Sequence, residues 1–343
     1  MSKPSNGSVN LDVLRAIAVS TVLVDHFIPT IDHKGLFANH LLSQLTNTIG
    51  HAGVLAFFVH TSLVLMYSLE RLERDGQPIV RRFYLRRFFR IYPLAIVCVL
   101  AVVLLKIPSV TWKAPEVITG RVIAANLMLV QNVITGKSVI GPLWSLPYEV
   151  QMYVVLPALY LLAKRPRALL WLSLLIGAFA LLGLVLTVTV GKRHMANYVP
   201  CFLAGVLCYA LRKKVRPVFP AALWPPFVLA AVASYCLVHL RSSQPIYWVG
   251  WIYCLVIGGA VHLFRQPEEG VLSTLSNKVA MYSYGIYLWH VPMLYLLFYV
   301  LPPMPLLACI PLFLTLTIGL SILSFHLVEA PMMELGRKRT ESG

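Results

Sequence analysis

The sequence predicts an all-α fold, a polytopic transmembrane helical bundle of about ten spans with both termini in the cytoplasm. Hydrophobic residues make up 58% of the 343 residues and charged residues 12%, which is about half the charged share of an ordinary soluble domain. Apolar runs long enough to cross a bilayer recur along the chain. Basic residues concentrate in alternate connecting segments, which is the pattern of the positive-inside rule.

The predicted spans are the apolar runs of helix-spanning length. They lie at residues 11–30, 49–70, 91–110, 141–163, 168–190, 197–211, 219–240, 246–264, 279–300 and 305–328. The sixth is short for a full crossing. Residues 117–133 are amphipathic, which predicts an interfacial or re-entrant segment.

The distribution of Lys and Arg predicts the orientation. With the N-terminus inside, the inside segments hold 20 of the 29 basic residues, the outside segments hold 8, and Arg15 lies within the first span. The same bias explains the net charge of +16, which in a soluble protein would suggest nucleic acid. We therefore expect a lipid bilayer and no nucleic acid as partner.

Several expected features are negative. No cleavage-site pattern follows the first span, so we expect that span to remain in the mature protein. The six cysteines are scattered in apolar stretches without metal-type spacing, which predicts no disulfide framework and no metal site. No internal repeat is visible, so we expect a single membrane domain over residues 1–343, with short cytoplasmic tails at 1–10 and 329–343.

The first span carries unusual polar residues for its length. Between Leu11 and Thr30 it contains Asp12, Arg15, Asp25 and His26. A central Arg or Asp costs roughly 2.5–3.5 kcal/mol on an insertion scale, so such residues persist where they face a protein interior or a water-filled cavity. These residues are therefore candidates for function.

Spacing singles out two of them. Arg15 and His26 are eleven residues apart, and eleven steps of about 100° return to within about 20° of the starting direction, so they share one helix face. At about 1.5 Å per residue they lie about 16 Å apart along the helix. His26 can act as a general base near neutral pH. The alternative is an interfacial arginine and a histidine that hydrogen-bonds a neighbouring helix.

Seven sequence blocks resemble, in the same order, those of the acyltransferase family 3 membrane proteins. The blocks are LDVLRAIAVSTVLVDHF, GVLAFFVHTSLVLMYSL, FYLRRFFRIYP, GPLWSLPYEVQMYVVLPAL, YVPCFLAGVLCY, SYGIYLWHVPML and SFHLVEAPMMELGRK. The resemblance implies an O-acyltransferase of the bacterial inner membrane. Its donor would be cytosolic acyl-CoA, with acetyl-CoA expected, and its acceptor a hydroxyl of a cell-surface carbohydrate or glycolipid.

The resemblance also assigns site residues. It implies that His26 and Arg15 are catalytic, with Arg15 also expected to bind the acyl-CoA donor. It places Glu149 in GPLWSLPYEV at a family position, as a catalytic or acceptor-binding group. His290 in YLWHVPML and Trp144 are expected to bind substrate. An interhelical hydrogen bond for Glu149, and a structural histidine next to the helix-kinking Pro292, remain open alternatives.

Basic residues in RRFYLRRFFRIYP form a further candidate site. Arg86 and Arg90 share a helix face and Arg87 adjoins them. Guanidinium groups suit phosphates, and the family resemblance favours CoA binding here, whereas anchoring to anionic lipid would explain the composition alone. At His60 to Leu63 the chain departs from the family pattern, which leaves acceptor specificity or helix packing open. The alternative function is a membrane transporter or exporter of a glycan or an acylated metabolite, because buried charges also mark permeation paths.

Overall fold

The computed structural model describes residues 8–36, 40–76, 78–111, 118–191, 194–240 and 246–341, with the backbone alone for 40–47 and for 341. Over these residues the chain is helical, which confirms the predicted all-α class. The described ranges contain no β-strand, and the isolated β-bridge that they do contain joins Phe219 to Phe264.

The α-helices of the described residues follow one another with short connections. They are α1 (Val9–His33), α2 (His40–Arg74), α3 (Ile79–Leu104), α4 (Gly120–Leu127), α5 (Gln131–Ile134), α6 (Leu146–Ala163), α7 (Ala168–Val190), α8 (Val199–Leu211), α9 (Trp224–His239), α10 (Tyr247–Ala260), α11 (Val271–Tyr295), α12 (Leu306–Ser324) and α13 (Ala330–Glu341). A 3₁₀ turn at Gly141–Trp144 precedes α6. π-helical turns follow α11 at Leu296–Val300 and α12 at Phe325–Glu329.

Membrane-length apolar helices recur along the described part of the chain. Six segments qualify by length and composition: Thr48–Arg74, Ile79–Leu104, Gly141–Ala163, Ala168–Val190, Ala221–His239 and Leu306–Thr340. Helices α8 and α10 are apolar but shorter. The protein is therefore an integral membrane protein, while the count of about ten spans and the side on which the termini lie stay predictions. The amphipathic stretch at 117–133 contains the short helix α4 and the start of α5.

The chain divides into two compact units, and the boundary between them falls within α1. The first unit comprises residues 1–25, 44–74 and 154–281, and the second comprises residues 26–43, 75–153 and 282–343. Asp25 is the last residue of the first unit on α1, and His26 is the first residue of the second. The single domain expected from the sequence stays a prediction.

Glycines allow close helix packing in the first unit. A Cβ on Gly53 of α2 would lie 2.2 Å from Oγ1 of Thr21 on α1. A Cβ on Gly205 of α8 would lie 2.1 Å from Oγ of Ser62 on α2. Without these glycines the backbones could not approach so closely, which is the usual role of small residues between membrane helices.

Glycines serve the same purpose in the second unit. A Cβ on Gly336 of α13 would lie 2.8 Å from Cβ of Phe89, and one on Gly285 of α11 would lie 3.0 Å from Cβ of Ser321. Helix α13 thus packs closely against α3. This helix covers most of residues 329–343, the segment that the sequence predicts as a C-terminal tail.

A proline and a cysteine together shape α11. Pro292 lacks the N–H that would bond the carbonyl oxygen of Leu288 four residues earlier. The thiol of Cys98 on α3 faces this oxygen, with Sγ at 3.6 Å. The interhelical contact thus satisfies the carbonyl group that the proline leaves unpaired, next to His290.

Candidate active site

Two histidines meet in the second unit. His26 on α1 and His290 on α11 place their ring centroids 4.9 Å apart, with an interplanar angle of 75°. His290 is fully buried, whereas His26 is partly exposed. The structure therefore brings together the two histidines that the sequence analysis assigns to the site.

A backbone hydrogen bond fixes the tautomer of the neutral His290 ring. Its Nδ1 lies 3.1 Å from the carbonyl oxygen of Ile286. A carbonyl oxygen only accepts, so Nδ1 carries the proton and, in the neutral ring, Nε2 carries a lone pair. This Nε2 is buried and has no hydrogen-bond partner among the described residues. Both roles left open by the sequence therefore fit: His290 bonds a helix carbonyl and still presents an acceptor.

Gly141 forms part of the wall beside His26. A Cβ on Gly141 would lie 3.8 Å from Nε2 of His26 and 3.3 Å from the carbonyl oxygen of Ser109. The N–H of Gly141 donates to that oxygen at 3.0 Å. The absence of a side chain at Gly141 therefore leaves room next to the imidazole.

A hydroxyl network links this wall to α11. The hydroxyl of Tyr287 donates to the carbonyl oxygen of Pro142 at 2.8 Å, and Ser145 in turn donates to the Tyr287 hydroxyl at 2.8 Å. The ring of Tyr287 lies 6.0 Å from that of His290. The turn that carries Gly141 is thus tied to the helix that carries His290.

Three residues near the site, Gly141, Ser145 and Tyr287, were not predicted from the sequence. Tyr287 precedes His290 by three residues, a spacing that places both on one helix face, so this signal was available. Gly141 and Ser145 lie in the recognised block GPLWSLPYEV, but nothing in their spacing indicates an approach to His26 or Tyr287.

Glu149 lies near the arginines of α3. Its carboxylate accepts a hydrogen bond from the hydroxyl of Tyr153, one helical turn further along α6. Arg87 lies within electrostatic range of both groups. The carboxylate of Glu149 and the guanidinium group of Arg87 are therefore close enough to interact electrostatically, a proximity that was not predicted from the sequence.

Arg90 forms an ion pair with Glu329. The Arg90 side chain is 15% exposed and the Glu329 side chain is fully buried. The guanidinium group also lies 5.6 Å from the ring centroid of Tyr284. Glu329 was not predicted from the sequence as a site residue, and it lies at the start of the predicted tail. Arg90 thus pairs with Glu329, and its expected binding of CoA stays a prediction.

Other arginines of α3 keep buried donors available. The Nε atoms of Arg82 and Arg87 are buried and have no hydrogen-bond partner among the described residues. Arg86 is partly buried beside them. A phosphate would accept hydrogen bonds from such guanidinium donors. The arginine cluster therefore contains donors of the kind that a phosphate group would require, and its expected binding of CoA stays a prediction.

Arg15 lies in the first unit, on the same continuous helix α1 that carries His26. The charge of Arg15 acts on the buried imidazole of His60 and on the carboxylate of Asp12. Asp12 also accepts a hydrogen bond from Asn277 at 3.2 Å. His60 is thus a neighbour of Arg15, at the position where the chain departs from the family pattern.

The sequence also predicts that Trp144 binds substrate and that the chain has no metal site; both stay predictions. Trp144 packs edge-to-face against Tyr148, with ring centroids 6.1 Å apart. The part of the chain that the structure describes holds no group of three or more His, Cys, Asp or Glu side chains arranged to bind a metal.

These features define a class: an integral membrane protein whose helices carry a candidate general base and a candidate phosphate-binding cluster. The chain matches the family model described as an acyltransferase domain over residues 8–326, nearly its whole length. It therefore belongs to acyltransferase family 3, which confirms the family and the enzyme class predicted from the sequence.

Curated relatives carry consistent names. The chain is 25% identical over 369 residues to the peptidoglycan O-acetyltransferase OatA of Listeria monocytogenes, covering 95% of this chain and 56% of OatA. It is 25% identical over 380 residues to a provisionally named O-acetyltransferase of Staphylococcus aureus strain COL, covering 96% and 58%. A provisionally named acetyltransferase of Acidianus two-tailed virus is 23% identical over 265 residues, covering 74% and 76%.

The chain thus spans little more than half the length of these two bacterial relatives. No solved structure gives a significant match.

Proposed function

We propose that this protein is an O-acetyltransferase of the bacterial inner membrane that transfers an acetyl group from cytosolic acetyl-CoA to a hydroxyl of a cell-surface carbohydrate. Family membership and the names of the relatives support the acyl transfer. The single observation that carries the site assignment is the contact between His26 and His290, with Gly141 beside Nε2 of His26.

In this proposal His26 is the general base. It takes the proton of the acceptor hydroxyl as the oxygen attacks the thioester carbonyl carbon. The new C–O bond forms, the C–S bond breaks, and the CoA thiolate leaves and takes up the proton that His26 accepted, which returns the imidazole to its neutral form. His290 is a positioning residue: its ring is fixed by Ile286 and restricts the orientation of the His26 ring by edge-to-face contact.

The donor phosphates would bind near the N-terminal half of α3. Arg82 and Arg87 supply the buried donors described above, while Arg90 holds Glu329. Under the N-in orientation that the basic-residue bias predicts, this half of α3 is cytosolic, where acyl-CoA is made. Arg15 would lie in the cytosolic half of α1 and His26 in the outer half.

Reconstituted transfer tests the proposal. The purified protein in lipid nanodiscs is given acetyl-CoA labelled on the acetyl group together with envelope glycans, and the glycans are analysed by mass spectrometry. We expect base-labile acetyl esters on the glycan that are absent without protein. Release of free acetate without ester formation would contradict the proposal. Glycan export that depends on the protein but leaves the glycan mass unchanged would instead support the transporter alternative.

A further inference from the structure

A cationic cavity lies at the C-terminal end of α3, within the second unit. Its volume is about 680 Å³, which is within the range of small-molecule sites. Its walls include the basic residues Lys106, Arg121 and Lys137. Hydroxyl groups come from Ser109, Thr119, Thr135 and Ser138. The described lining residues include no Asp or Glu.

Lys106 occupies an unusual backbone position. Its φ angle is +53°, in the left-handed region that lysine rarely adopts. The N–H of Lys106 bonds the carbonyl oxygen of Val103, and that of Ile107 bonds Val102. This is a Schellman motif, with Lys106 at the position where glycine is preferred. The chain therefore keeps a lysine at the cavity where folding alone would favour glycine.

The walls are held by specific hydrogen bonds. Asn126, which is fully buried, donates to the carbonyl oxygen of Lys137 at 3.0 Å and accepts from the N–H of Val139 at 3.0 Å. Arg121 donates to the carbonyl oxygen of Ile134 at 3.4 Å through one terminal nitrogen. These bonds join α4 to α5 and to the segment after it, so the cavity has a defined shape.

The cavity adjoins the surroundings of His26. The carbonyl oxygen of Ser109, a lining residue, accepts from the N–H of Gly141, which lies next to Nε2 of His26. By contrast, Lys106 follows Arg90 by sixteen residues along α3 and its end, about 24 Å at the rise of a helix. The cavity is therefore close to the proposed base and far from the proposed donor phosphates.

We infer that this cavity binds the acceptor and that the acceptor is an acidic sugar, one that bears a carboxylate or a phosphate. This inference rests on the proposed function and specifies its acceptor. Lys106 and Arg121 would pair with the anionic group, and the hydroxyls would hydrogen-bond the sugar, leaving an acceptor hydroxyl directed past Gly141 towards His26. Under the N-in orientation the cavity is extracytoplasmic, where cell-surface glycans are found.

Direct binding tests the inference without requiring acyl transfer. The full-length protein in uncharged-lipid nanodiscs is titrated with a trigalacturonic acid, with a phosphorylated trisaccharide and with the neutral, carboxyl-reduced trisaccharide. We expect binding of an acidic probe to be at least tenfold tighter than binding of the neutral one and to weaken as salt rises.

Two variants and a control complete the test. Lys106→Gly removes the cation and relieves the backbone strain, so the melting temperature should be unchanged or higher while acidic-probe binding weakens about tenfold; Arg121→Gln should weaken it similarly. Lys34→Gln removes an exposed cation that lies over Tyr299, outside the cavity, and should have no effect.

Equal binding of acidic and neutral probes, or of wild type and Lys106→Gly, would overturn the inference. A second outcome would also overturn the inference. If anionic lipid in the nanodisc displaces the acidic probe, and the protein in uncharged lipid shows no preference for the acidic sugar, the cavity binds a lipid headgroup. Acyl transfer to a neutral glycan would leave the proposed function intact while refuting this acceptor.

Discussion

The imidazole rings of His26 and His290 are in edge-to-face contact, with centroids 4.9 Å apart. The two residues are 264 positions apart in the sequence, on α1 and α11. The contact restricts the orientation of His26, and the Nδ1 bond of His290 to Ile286 fixes that second ring in turn. A fixed imidazole next to a small open space is the arrangement that a general base requires.

Replacing His26 with Ala should abolish acetyl transfer and leave a folded protein. A positioned base contributes roughly a factor of 10²–10⁴ in rate, so a loss of that size is expected in the labelled acetyl-CoA assay. The control is the amount and melting temperature of the protein in the membrane. Wild-type transfer by well-folded His26→Ala would remove His26 from the mechanism and leave Glu149 and His290 as candidates.

Adding a side chain at Gly141 should block the site by size. Gly141→Val would place methyl groups in the space beside His26 and Ser109, so we expect the KM for the acceptor to rise about tenfold or more while the KM for acetyl-CoA changes little. Gly120→Ala is the matched control, because a Cβ there meets nothing within 4 Å. Equal increases in both KM values would argue that Gly141 has a general packing role.

Replacing Arg87 should weaken the binding of acetyl-CoA more than it lowers the stability of the protein. Arg87→Lys keeps the charge but loses the planar set of donors, so we expect a several-fold higher KM for acetyl-CoA at an unchanged melting temperature. Steady-state kinetics with each substrate varied in turn provides the measurement. If only the KM for the acceptor rises, the arginine cluster does not bind the donor.

Breaking the Arg90 and Glu329 ion pair should destabilise the protein. Removing one partner of a buried pair leaves an uncompensated charge and typically costs about 3–5 kcal/mol. Glu329→Gln should therefore lower the melting temperature, as measured in detergent or nanodiscs. The double variant Arg90→Met with Glu329→Leu should recover much of the loss. An unchanged melting temperature in Glu329→Gln would mean that the pair contributes little to stability.

Reporter fusions should place the connection between α2 and α3, and the C-terminus, on the cytoplasmic side. The bias of basic residues predicts a cytoplasmic signal for fusions after Gly76 and at Gly343, and external access for a tag at Ser242. Paired alkaline phosphatase and green fluorescent protein fusions give the measurement. Alkaline phosphatase activity at Gly76 or Gly343 would contradict the N-in, C-in orientation.

The sequence by itself determined the class and the family. Membrane helices require long apolar runs whatever they pack against, so hydropathy alone predicted the all-α fold. Seven ordered blocks identified the family that the comparison confirmed over residues 8–326. Helical periodicity also placed Arg15 and His26 on one face, because that relationship is local to a single helix.

Only the tertiary structure decided which distant residues meet. The ion pair of Arg90 with Glu329, the electrostatic proximity of Glu149 to Arg87, and the approach of Gly141 to His26 all join separate helices and turns. Each of these relationships depends on how separate segments are rotated and packed against one another, which no single-segment pattern encodes. The left-handed conformation of Lys106 could not be predicted from the sequence either. Glycine is the residue preferred in that conformation at a helix end, and only the folded backbone shows that Lys106 adopts it.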